Sequence, residues 1–309
     1  MGPKMNDDYH TPVLLQETID FLNIKPGGVY LDATLGGGGH SQAILKQGGK
    51  ILGIDCDSDA IEFSQKRLAN ACPAPNQKVG GANAVFKLVN DNFVNLDKIL
   101  KKANIDYING ALFDLGTSLH QLKDKSRGFS FSSDEILDMR MDSNLSVKAA
   151  DLINGLGRKE LYDLFSRFGQ EKLALPIVKA ILLVRKTRAI NTTKQLADII
   201  CQVYQQRRIK TKIHPATKAF QALRIVVNDE LNNIKIALPK VLDFLEKNGR
   251  LVAISFHELE DGIVKNFFKQ EEQKENLKIL TKKPIKPKKM EVINNPRSRS
   301  AKLRCAEKI

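Results

Sequence analysis

The chain has 309 residues, of which 42% are hydrophobic, so it can fill the core of one large domain or two smaller ones. No apolar run is long enough to span a bilayer, and the first ten residues, MGPKMNDDYH, show no signal or import pattern. We therefore expect a cytoplasmic protein without a membrane partner. The four cysteines are too scattered for metal or redox motifs, so we expect reduced structural thiols and no metal site: Cys56, Cys72, Cys201 and Cys305.

The net charge of +14 is concentrated in the second half of the chain. Residues 1–155 carry 16 basic and 19 acidic side chains, a net of −3, whereas residues 156–309 carry 33 basic and 16 acidic, a net of +17. This asymmetry indicates a polyanionic partner and favours nucleic acid over a membrane surface. A solvated basic surface would have the same composition, so charge alone leaves both interpretations open.

The first third of the chain alternates β-branched runs with helical periodicity. This alternation is typical of a doubly wound α/β fold, in which helices cover both faces of a parallel sheet. A Pro/Gly/Asn-rich stretch at 72–84 is expected to form a loop. The predicted elements are strands at Val29–Leu35, Lys50–Cys56, Ala84–Val89 and Tyr107–Leu115, and helices at His40–Gln47, Ser58–Asn70 and Leu96–Ala103.

The alternation stops near Lys123 and returns after Pro215. Helical periodicity fills the interval, and Thr192 and Gln195 have capping-box spacing at the start of one helix. We therefore predict a doubly wound domain over residues 1–122 and 216–309, with a helical domain inserted over 123–215. The returning elements are a long helix from His214, broken near Pro239, then a strand Arg250–Phe256, a helix Glu258–Gln273, and strands Leu277–Leu280 and Ala301–Ala306.

The segment LDATLGGGGHS, from Leu31 to Ser41, places four glycines after the first predicted strand. Ligands of doubly wound sheets bind at the carboxyl ends of the strands, and glycines such as Gly36 allow close approach of the backbone. A dinucleotide would bring a pyrophosphate to this loop, where Asp32 would repel it. S-adenosylmethionine carries an ammonium and a sulfonium, which Asp32 would attract. The loop is therefore a candidate S-adenosylmethionine site, with NAD as the weaker alternative.

Two further acids end predicted strands. Asp55 lies 17 residues after Gly38, where an acid can accept hydrogen bonds from both ribose hydroxyls of a nucleoside. Asp114 ends the fourth strand in ALFDLGTS, and is a candidate for binding the cofactor or for accepting an N–H of a base. The amine of a base is a poor nucleophile, which a carboxylate that receives its proton improves. Either acid could instead cap the turn that follows its strand.

Several longer motifs occur along nearly the whole chain. With these motifs, in this order, the chain resembles the bacterial small-subunit ribosomal RNA cytosine-N4 methyltransferases. The motifs are HTPVLLQE (His10–Glu17), DATLGGGGHS (Asp32–Ser41), FDLGTS (Phe113–Ser118), RGFSF (Arg127–Phe131), LDMRMD (Leu137–Asp142), HPATKAFQALRIVVNDEL (His214–Leu231), ISFHELED (Ile254–Asp261) and NPRSRSAKLR (Asn295–Arg304).

The resemblance implies a Rossmann-type class I methyltransferase sheet with an inserted helical domain. It also implies S-adenosyl-L-methionine as methyl donor and a target cytosine in the decoding region of small-subunit ribosomal RNA. Without the resemblance, the sequence favours Phe93 as a core residue over a face for the adenine, and His40 is interpreted as a helix-start residue. On matching positions, the resemblance implies cofactor contacts at Gly38, Gly39, His40, Asp55, Phe93, Asp114 and Gln121.

The chain departs from the family pattern in two motifs. After DLG the family reads V-S-S-P-Q-L-D, and here Leu119, His120 and Lys123 replace a serine, a proline and an acid. In the second, S-F-H-S-L-E-D-R becomes SFHELEDG, which exchanges a serine for Glu258 and an arginine for Gly262. Both departures follow strands near the predicted catalytic site, so we expect them to affect substrate contacts more than cofactor binding.

Basic residues near the C-terminus are candidates for binding RNA phosphates. The stretch Thr281–Arg304 has nine Lys and Arg residues and one acid, and Arg297 and Arg299 lie in a family motif. Arg127 and Phe129 are further candidates, since Phe129 and Phe131 could flank an unstacked cytosine or instead fill a core. The insertion adds Arg158, Lys159, Arg185, Lys186, Arg188, Arg207, Arg208 and Lys210.

His257, at the end of the fifth strand, is a candidate proton relay or a strand-end hydrogen-bonding residue. The function predicted from the sequence is methyl transfer to a cytosine N4 in small ribosomal subunit RNA. Alternatives are methylation of another nucleic acid or protein, and a ribosome-assembly factor that binds the cofactor without catalysis. The sequence specifies no oligomeric state.

Overall fold

The computed structural model describes residues 11–71, 85–124, 126–131 and 134–309, without the side chains of Leu119 and Lys123. The predicted loop at 72–84, Cys72 and His10 lie outside the described residues. Two compact units make up the chain. We call Met1–Ser118 with Leu231–Ile309 the sheet unit, and Leu119–Glu230 the helical unit.

The sheet unit is built on a seven-stranded sheet in the order β3-β2-β1-β4-β5-β7-β6. The first five strands in this order are parallel, and β7 runs antiparallel to both β5 and β6. The doubly wound α/β fold predicted from the alternation is therefore confirmed, with an antiparallel edge that the alternation does not specify. The strands are β1 Val29–Asp32, β2 Lys50–Asp55, β3 Phe86–Asn90, β4 Ile108–Asp114, β5 Leu245–Ser255, β6 Leu277–Ile279 and β7 Lys302–Lys308.

Both faces of the sheet are buried at its centre, which explains why β1, β2 and β4 are mostly apolar and buried along their length. Successive residues of a strand point to opposite faces, so Leu31 and Ala111 pack in one core cluster and Tyr30 and Leu112 in the other. The helices of the sheet unit are α1 Leu15–Leu22, α2 Gly39–Lys46, α3 Ser58–Ala71, α4 Leu96–Lys102, α11 Glu230–Phe244, α12 Glu258–Gln273 and α13 Lys289–Asn294, where α11 begins at the last residue of the helical unit.

The helical unit has its own hydrophobic core, built from residues between Phe129 and Val227. The capping box predicted at Thr192 is confirmed, because its hydroxyl accepts from the backbone N–H of Gln195 at 3.3 Å and the Gln195 side chain returns a bond to the backbone of Thr192. The helices are α5 Leu119–Lys123, α6 Ala149–Gly155, α7 Arg158–Asp163, α8 Ala174–Arg185, α9 Thr193–Gln206 and α10 Thr217–Val227.

The boundary of the helical unit differs from the predicted one. The long helix expected from His214 is two helices, α10 and α11, and they separate at Asp229, whose φ of 49° is left-handed. Pro239 lies inside α11 instead of at a break. The separation follows from packing, since Phe220 and Leu223 of α10 are buried in the helical core. The helical unit therefore ends at residue 230 and not at 215.

No helix among the described residues has both the length and the apolar content needed to cross a membrane.

Candidate functional site

The glycine loop after β1 is held by Asp32, which ends that strand. Asp32 is 1% exposed, and its carboxylate accepts from the Ser41 hydroxyl at 2.6 Å and from the backbone N–H of Thr34 at 3.3 Å. Burial raises the pKa of Asp32 to about 6. Because the glycine loop encloses Asp32, its carboxylate would influence a ligand without direct contact. It would do so through its negative charge and by holding the loop in shape.

Asp55, at the end of β2, also holds the glycine loop. One carboxylate oxygen accepts from the backbone N–H of Gly36 at 2.7 Å, and the other accepts from that of Asp57 at 2.9 Å. Burial raises the pKa of Asp55 to about 6, and the nearby charges of Asp57 and Asp32 add to this effect. A carboxylate has about four lone-pair positions, so two remain for the hydroxyls of a ribose.

Asp114 ends β4 beside β1, and its backbone N–H donates to the hydroxyl of Thr34 at 2.6 Å. Its side chain is 8% exposed, with Oδ2 3.6 Å from Nδ1 of His40. The other ring nitrogen, Nε2, lies 3.1 Å from the carbonyl oxygen of Val13, which can only accept. A neutral His40 therefore carries its proton on Nε2, and Nδ1 is left as an acceptor that faces Asp114.

Like charges meet around Asp114. Burial raises its pKa to about 8, and the negative charges of Asp32 and Glu260 contribute in the same direction. Three carboxyl groups at the carboxyl ends of adjacent strands, those of Asp32, Asp55 and Asp114, are thus harder to ionise than in water. A ligand with positive charge would relieve this repulsion, whereas a pyrophosphate would increase it.

The N-terminus of α2 lies in the same loop. Its N-cap, Gly38, has a φ of +70°, and a side chain there would place Cβ 2.9 Å from Oγ of Ser64. A Cβ on Gly39 would lie 3.0 Å from the Pro12 ring. The left-handed φ at Gly38 favours glycine there. At both positions the neighbouring side chains leave too little room for a Cβ. Helix N-termini attract anions, so this end of α2 suits a carboxylate group of a ligand.

Phe93 begins a 3₁₀ turn, Phe93–Asn95, directly after β3. Its ring meets Phe113 edge to face, with centroids 5.6 Å apart and an angle of 85° between the rings. The side chain is only partly buried, so it contributes to the core and keeps surface at the carboxyl edge of the sheet. Both interpretations made from the sequence, core and ligand-facing ring, are compatible with this position.

His257 caps α12. Its Nδ1 accepts from the backbone N–H of Glu260 at 3.4 Å, and its Nε2 lies 3.1 Å from Oε1 of the same residue. Glu260, which is 1% exposed, also accepts from the backbone N–H of Phe256 at 2.8 Å. The strand-end hydrogen-bonding role of His257 therefore accounts for its position. Sequence reasoning missed Glu260, although its spacing of three residues from His257 is that of a capping box.

Three predicted site residues belong to the helical unit. Gln121 lies on α5 and is 5% exposed. Arg127 is 3.5 Å from Asp124 and donates to the carbonyl oxygen of Met141 at 3.3 Å. Phe129 is 7% exposed within the helical core, which favours its interpretation as a core residue over a surface for a base.

The basic stretch near the C-terminus divides into two classes. Arg297 and Arg299 are exposed on a short 3₁₀ turn, Pro296–Ser300, and remain candidate RNA contacts. Arg304 is instead buried in β7, with two hydrogen bonds to Asp261 at 2.6 and 3.1 Å. Lys302 pairs with Glu258 at 2.5 Å. Arg304 and Lys302 therefore stabilise the sheet unit.

The departures from the family pattern at 258 and 262 have structural counterparts. Glu258 supplies the partner of Lys302, which lies on β7. A Cβ built on Gly262 meets no atom within 4 Å. Packing therefore does not require glycine at this position. The side chains of Leu119 and Lys123 lie outside the described residues.

Asp261→Ala is expected to destabilise the protein by about 3–5 kcal/mol, because it leaves the Arg304 guanidinium buried without a counter-charge. Burial alone would raise the pKa of Asp261, but the hydrogen bonds and charge of Arg304 lower it. Glu258→Ala, which removes the exposed partner of Lys302, should cost less than about 1 kcal/mol. Urea unfolding of both variants makes the comparison, and equal losses would contradict the assigned role of Arg304.

The comparison with protein families decides the affiliation. Residues 7–309 match the model of the MraW methylase family. The chain belongs to the MraW methylase family. The resemblance stated from the motifs is confirmed, and the predicted cofactor, S-adenosyl-L-methionine, agrees with membership of a family of methylases.

Curated relatives extend over almost the whole chain. Ribosomal RNA small subunit methyltransferase H of a Sulfurihydrogenibium species is 45% identical over 97% of this chain and 99% of its own length. The protein of the same name from Carboxydothermus hydrogenoformans is 42% identical over 97% and 98%. Among solved structures, an rRNA methylase from Streptococcus thermophilus matches with a TM-score of 0.43 and 13% identity, over 95% of each chain.

Proposed function

We propose that the protein transfers a methyl group from S-adenosyl-L-methionine to the N4 amine of a cytosine in the decoding region of small-subunit ribosomal RNA. The observation that carries the proposal is the cluster of buried carboxyl groups at the strand ends of the sheet unit. The negative charge of this cluster would attract a cationic nucleoside and would repel the pyrophosphate of a dinucleotide. When bound, S-adenosyl-L-methionine supplies an electrophilic methyl group on a sulfonium.

The residues of the sheet unit suit the separate parts of that donor. The remaining lone pairs of Asp55 would accept from the ribose hydroxyls, and the half-buried ring of Phe93 would contact the adenine. The N-terminus of α2, at Gly39 and His40, would hold the carboxylate of the amino-acid part. Asp32 and Asp114 would offset its positive charges.

Asp114 is proposed as the group that acts on the acceptor amine. A hydrogen bond from the amine to the carboxylate localises the nitrogen lone pair, which the ring otherwise delocalises. When the nitrogen bonds to the methyl carbon and the carbon–sulfur bond of the donor breaks, the nitrogen must release a proton, which Asp114 would receive. Nδ1 of His40, 3.6 Å from Oδ2, can take the proton onward, since its Nε2 proton is directed at Val13. His257 is less suited to this role because its Nδ1 accepts from the backbone N–H of Glu260 and its Nε2 lies 3.1 Å from Oε1 of that residue.

Two observations support ribosomal RNA as the substrate. Relatives more than 40% identical over 97% of the chain are named as ribosomal RNA small subunit methyltransferases. The second half of the chain carries a net charge of +17, which suits an RNA partner. A cytosine amine within a helix would have to be unstacked before it could reach the strand ends.

The proposal is tested with labelled S-adenosyl-L-methionine and small subunits that lack the modification. Labelled methyl should appear in N4-methylated cytidine on nucleoside mass spectrometry, and primer extension should place it in the decoding region. Naked RNA, DNA and ribosomal proteins serve as competing substrates. Label in another nucleoside or in protein would refute the substrate assignment, and donor binding without any transfer would support a cofactor-binding assembly factor instead.

Asp55→Asn is expected to weaken donor binding about 10- to 100-fold, because one amide oxygen replaces two carboxylate oxygens that also hold Gly36. Glu62→Gln is the matched control, an exposed acid on α3 whose loss should change donor affinity less than twofold. Isothermal titration with S-adenosyl-L-methionine measures both. An unchanged affinity in Asp55→Asn would remove Asp55 from the donor site.

A further inference from the structure

The helical unit contains a groove of about 530 Å³ between α7 and the start of α8. We call it the α7–α8 groove. Three of its lining residues are exposed cations, called here the groove cations, and one is an exposed tyrosine, Tyr162, with 42% of its surface accessible. The groove is lined by Arg158, Lys159, Tyr162, Glu171, Lys172, Ala174 and Leu175.

The groove cations differ from other cations of the helical unit in their surroundings. Among the described residues, none of the three has a carboxylate oxygen within 4.0 Å, whereas other cations of the helical unit do. Arg167 pairs with Asp163, four residues earlier, and Lys194 pairs with Asp198. Three uncompensated positive charges around one concave surface create a potential that attracts a polyanion.

The floor of the groove holds a buried acid. Glu171 is 4% exposed, and its Oε1 accepts from the Tyr204 hydroxyl and from the backbone N–H of Leu173, both at 2.8 Å. Its Oε2 has no hydrogen-bond partner among the described residues. A buried carboxylate oxygen without a donor is costly, so a ligand that brings an N–H to it gains a charge-assisted hydrogen bond.

We propose that the α7–α8 groove binds a single-stranded segment of the substrate RNA. The groove cations contact backbone phosphates, and one base packs against the ring of Tyr162. Oε2 of Glu171 is itself buried, so the proposal includes a turn of this side chain toward the groove, after which the exocyclic amine of the base donates to Oε2. The proposal rests on the proposed function for the identity of the polymer. It adds a contact surface on the helical unit, separate in the chain from Arg297 and Arg299.

RNA fits the groove better than an acidic protein segment does. A carboxylate side chain would meet Glu171 as a like charge, whereas a nucleotide carries its negative charge and its amine at opposite ends. An aromatic ring such as Tyr162 contributes about 1–3 kcal/mol per base through stacking. The amine requirement favours cytosine and adenine over uracil, whose N–H lies between two carbonyl oxygens that a carboxylate repels.

The test uses the full-length protein and fluorescent 12-nucleotide oligo(C) and oligo(U). The triple variant Arg158→Ala/Lys159→Ala/Lys172→Ala should bind both at least 10-fold more weakly at physiological salt. Its slope of log affinity against log salt should fall by about 2, since each single-strand phosphate contact contributes about 0.7. A matched control, Lys98→Ala/Lys101→Ala/Lys102→Ala on α4, removes three exposed charges of the sheet unit and should leave the slope unchanged.

Glu171→Gln tests the base contact separately. The amide can keep the acceptor for Tyr204 but turns the second oxygen into a donor. Wild type should prefer oligo(C) over oligo(U) by about 10-fold, and Glu171→Gln should abolish or reverse this preference. An unaltered preference overturns the base contact, and a salt slope in the triple variant equal to wild type overturns the groove as an RNA surface.

Methyl transfer to small subunits distinguishes failure of this inference from failure of the proposed function. If wild type methylates and the triple variant has an unchanged KM, the groove is not used by the substrate. If wild type transfers no methyl group to RNA but the oligonucleotide results hold, the groove stands and the proposed function fails. Donor affinity, measured alongside, should be the same in every groove variant, which shows that the sheet unit is intact.

Discussion

Asp114→Asn is expected to lower kcat for methyl transfer by about 10³-fold and, at pH 8 and above, to make the donor-free protein more stable. Loss of activity follows because an amide cannot receive the proton that the amine nitrogen releases, and general-base contributions are typically 10²- to 10⁴-fold. Donor affinity should fall much less than kcat, since Asp32 and Asp55 remain.

The gain in stability follows from the raised pKa of Asp114, about 8 in the folded protein against about 3.9 for an unperturbed aspartate. Between these values the folded state holds a proton that the unfolded state has released. Stability is therefore lost as pH rises from about 4 to about 8. Asparagine has no charge to bury, so this loss is absent from the variant.

The pH profile of wild type gives a second readout. In the proposed mechanism Asp114 acts as the carboxylate, so kcat/KM, which reports the free enzyme, should rise with pH and level off above about pH 8. A cationic donor favours the carboxylate, so the corresponding rise in kcat should lie at lower pH.

Thermal unfolding at pH 5 and pH 8.5 and single-turnover kinetics make these measurements. Asp106→Asn, at an exposed position just before the start of β4, is the control and should alter neither activity nor stability appreciably. Turnover at the wild-type rate in Asp114→Asn would eliminate Asp114 as proton acceptor. A variant that is less stable than wild type at pH 8.5 would contradict the electrostatic account of the site.

Gly128→Ala is expected to destabilise the helical unit by more than about 3 kcal/mol. Gly128 has a φ of +68°, which a side chain disfavours, and an added Cβ would lie 2.0 Å from the carbonyl oxygen of Ile136 and 2.8 Å from the backbone nitrogen of Asp138. Both contacts are to backbone, so no side-chain rotation relieves them. The hydrogen bond from the N–H of Met139 to the carbonyl oxygen of Arg127, 2.9 Å long, holds the two segments together.

Gly155→Ala is the matched control within the same unit. Gly155 is the last residue of α6, and a Cβ there meets no atom within 4 Å, so the substitution should be neutral or slightly stabilising. Calorimetry and limited proteolysis compare the two variants. A transition temperature of Gly128→Ala within about 2 °C of wild type would show that the backbone at Gly128 can move away from Ile136 and Asp138 with little loss of stability.

The sequence determined the features that depend on local order along the chain. Strand and helix alternation predicted the doubly wound sheet, and the glycine motif after β1 predicted the loop in which Gly38 is left-handed. The acids at the ends of predicted strands were expected to lie at one edge of the sheet, because the carboxyl ends of parallel strands share an edge. These acids are Asp32, Asp55 and Asp114. The capping box at Thr192 is likewise a local pattern, set within four residues.

The tertiary structure decided what depends on partners distant in sequence. Arg304 belongs to a basic stretch, yet it is buried against Asp261, 43 residues away, and composition cannot show that such a charge is neutralised. α10 joins the helical unit although its periodicity equals that of α11, because Asn228 at its end bonds to Met139, 89 residues away. The carboxyl pKa values near 6 and 8 arise only where folding excludes water and brings acids together. Sequence fixes the chemistry of each group in advance, but only burial and long-range neighbours set its charge and its availability.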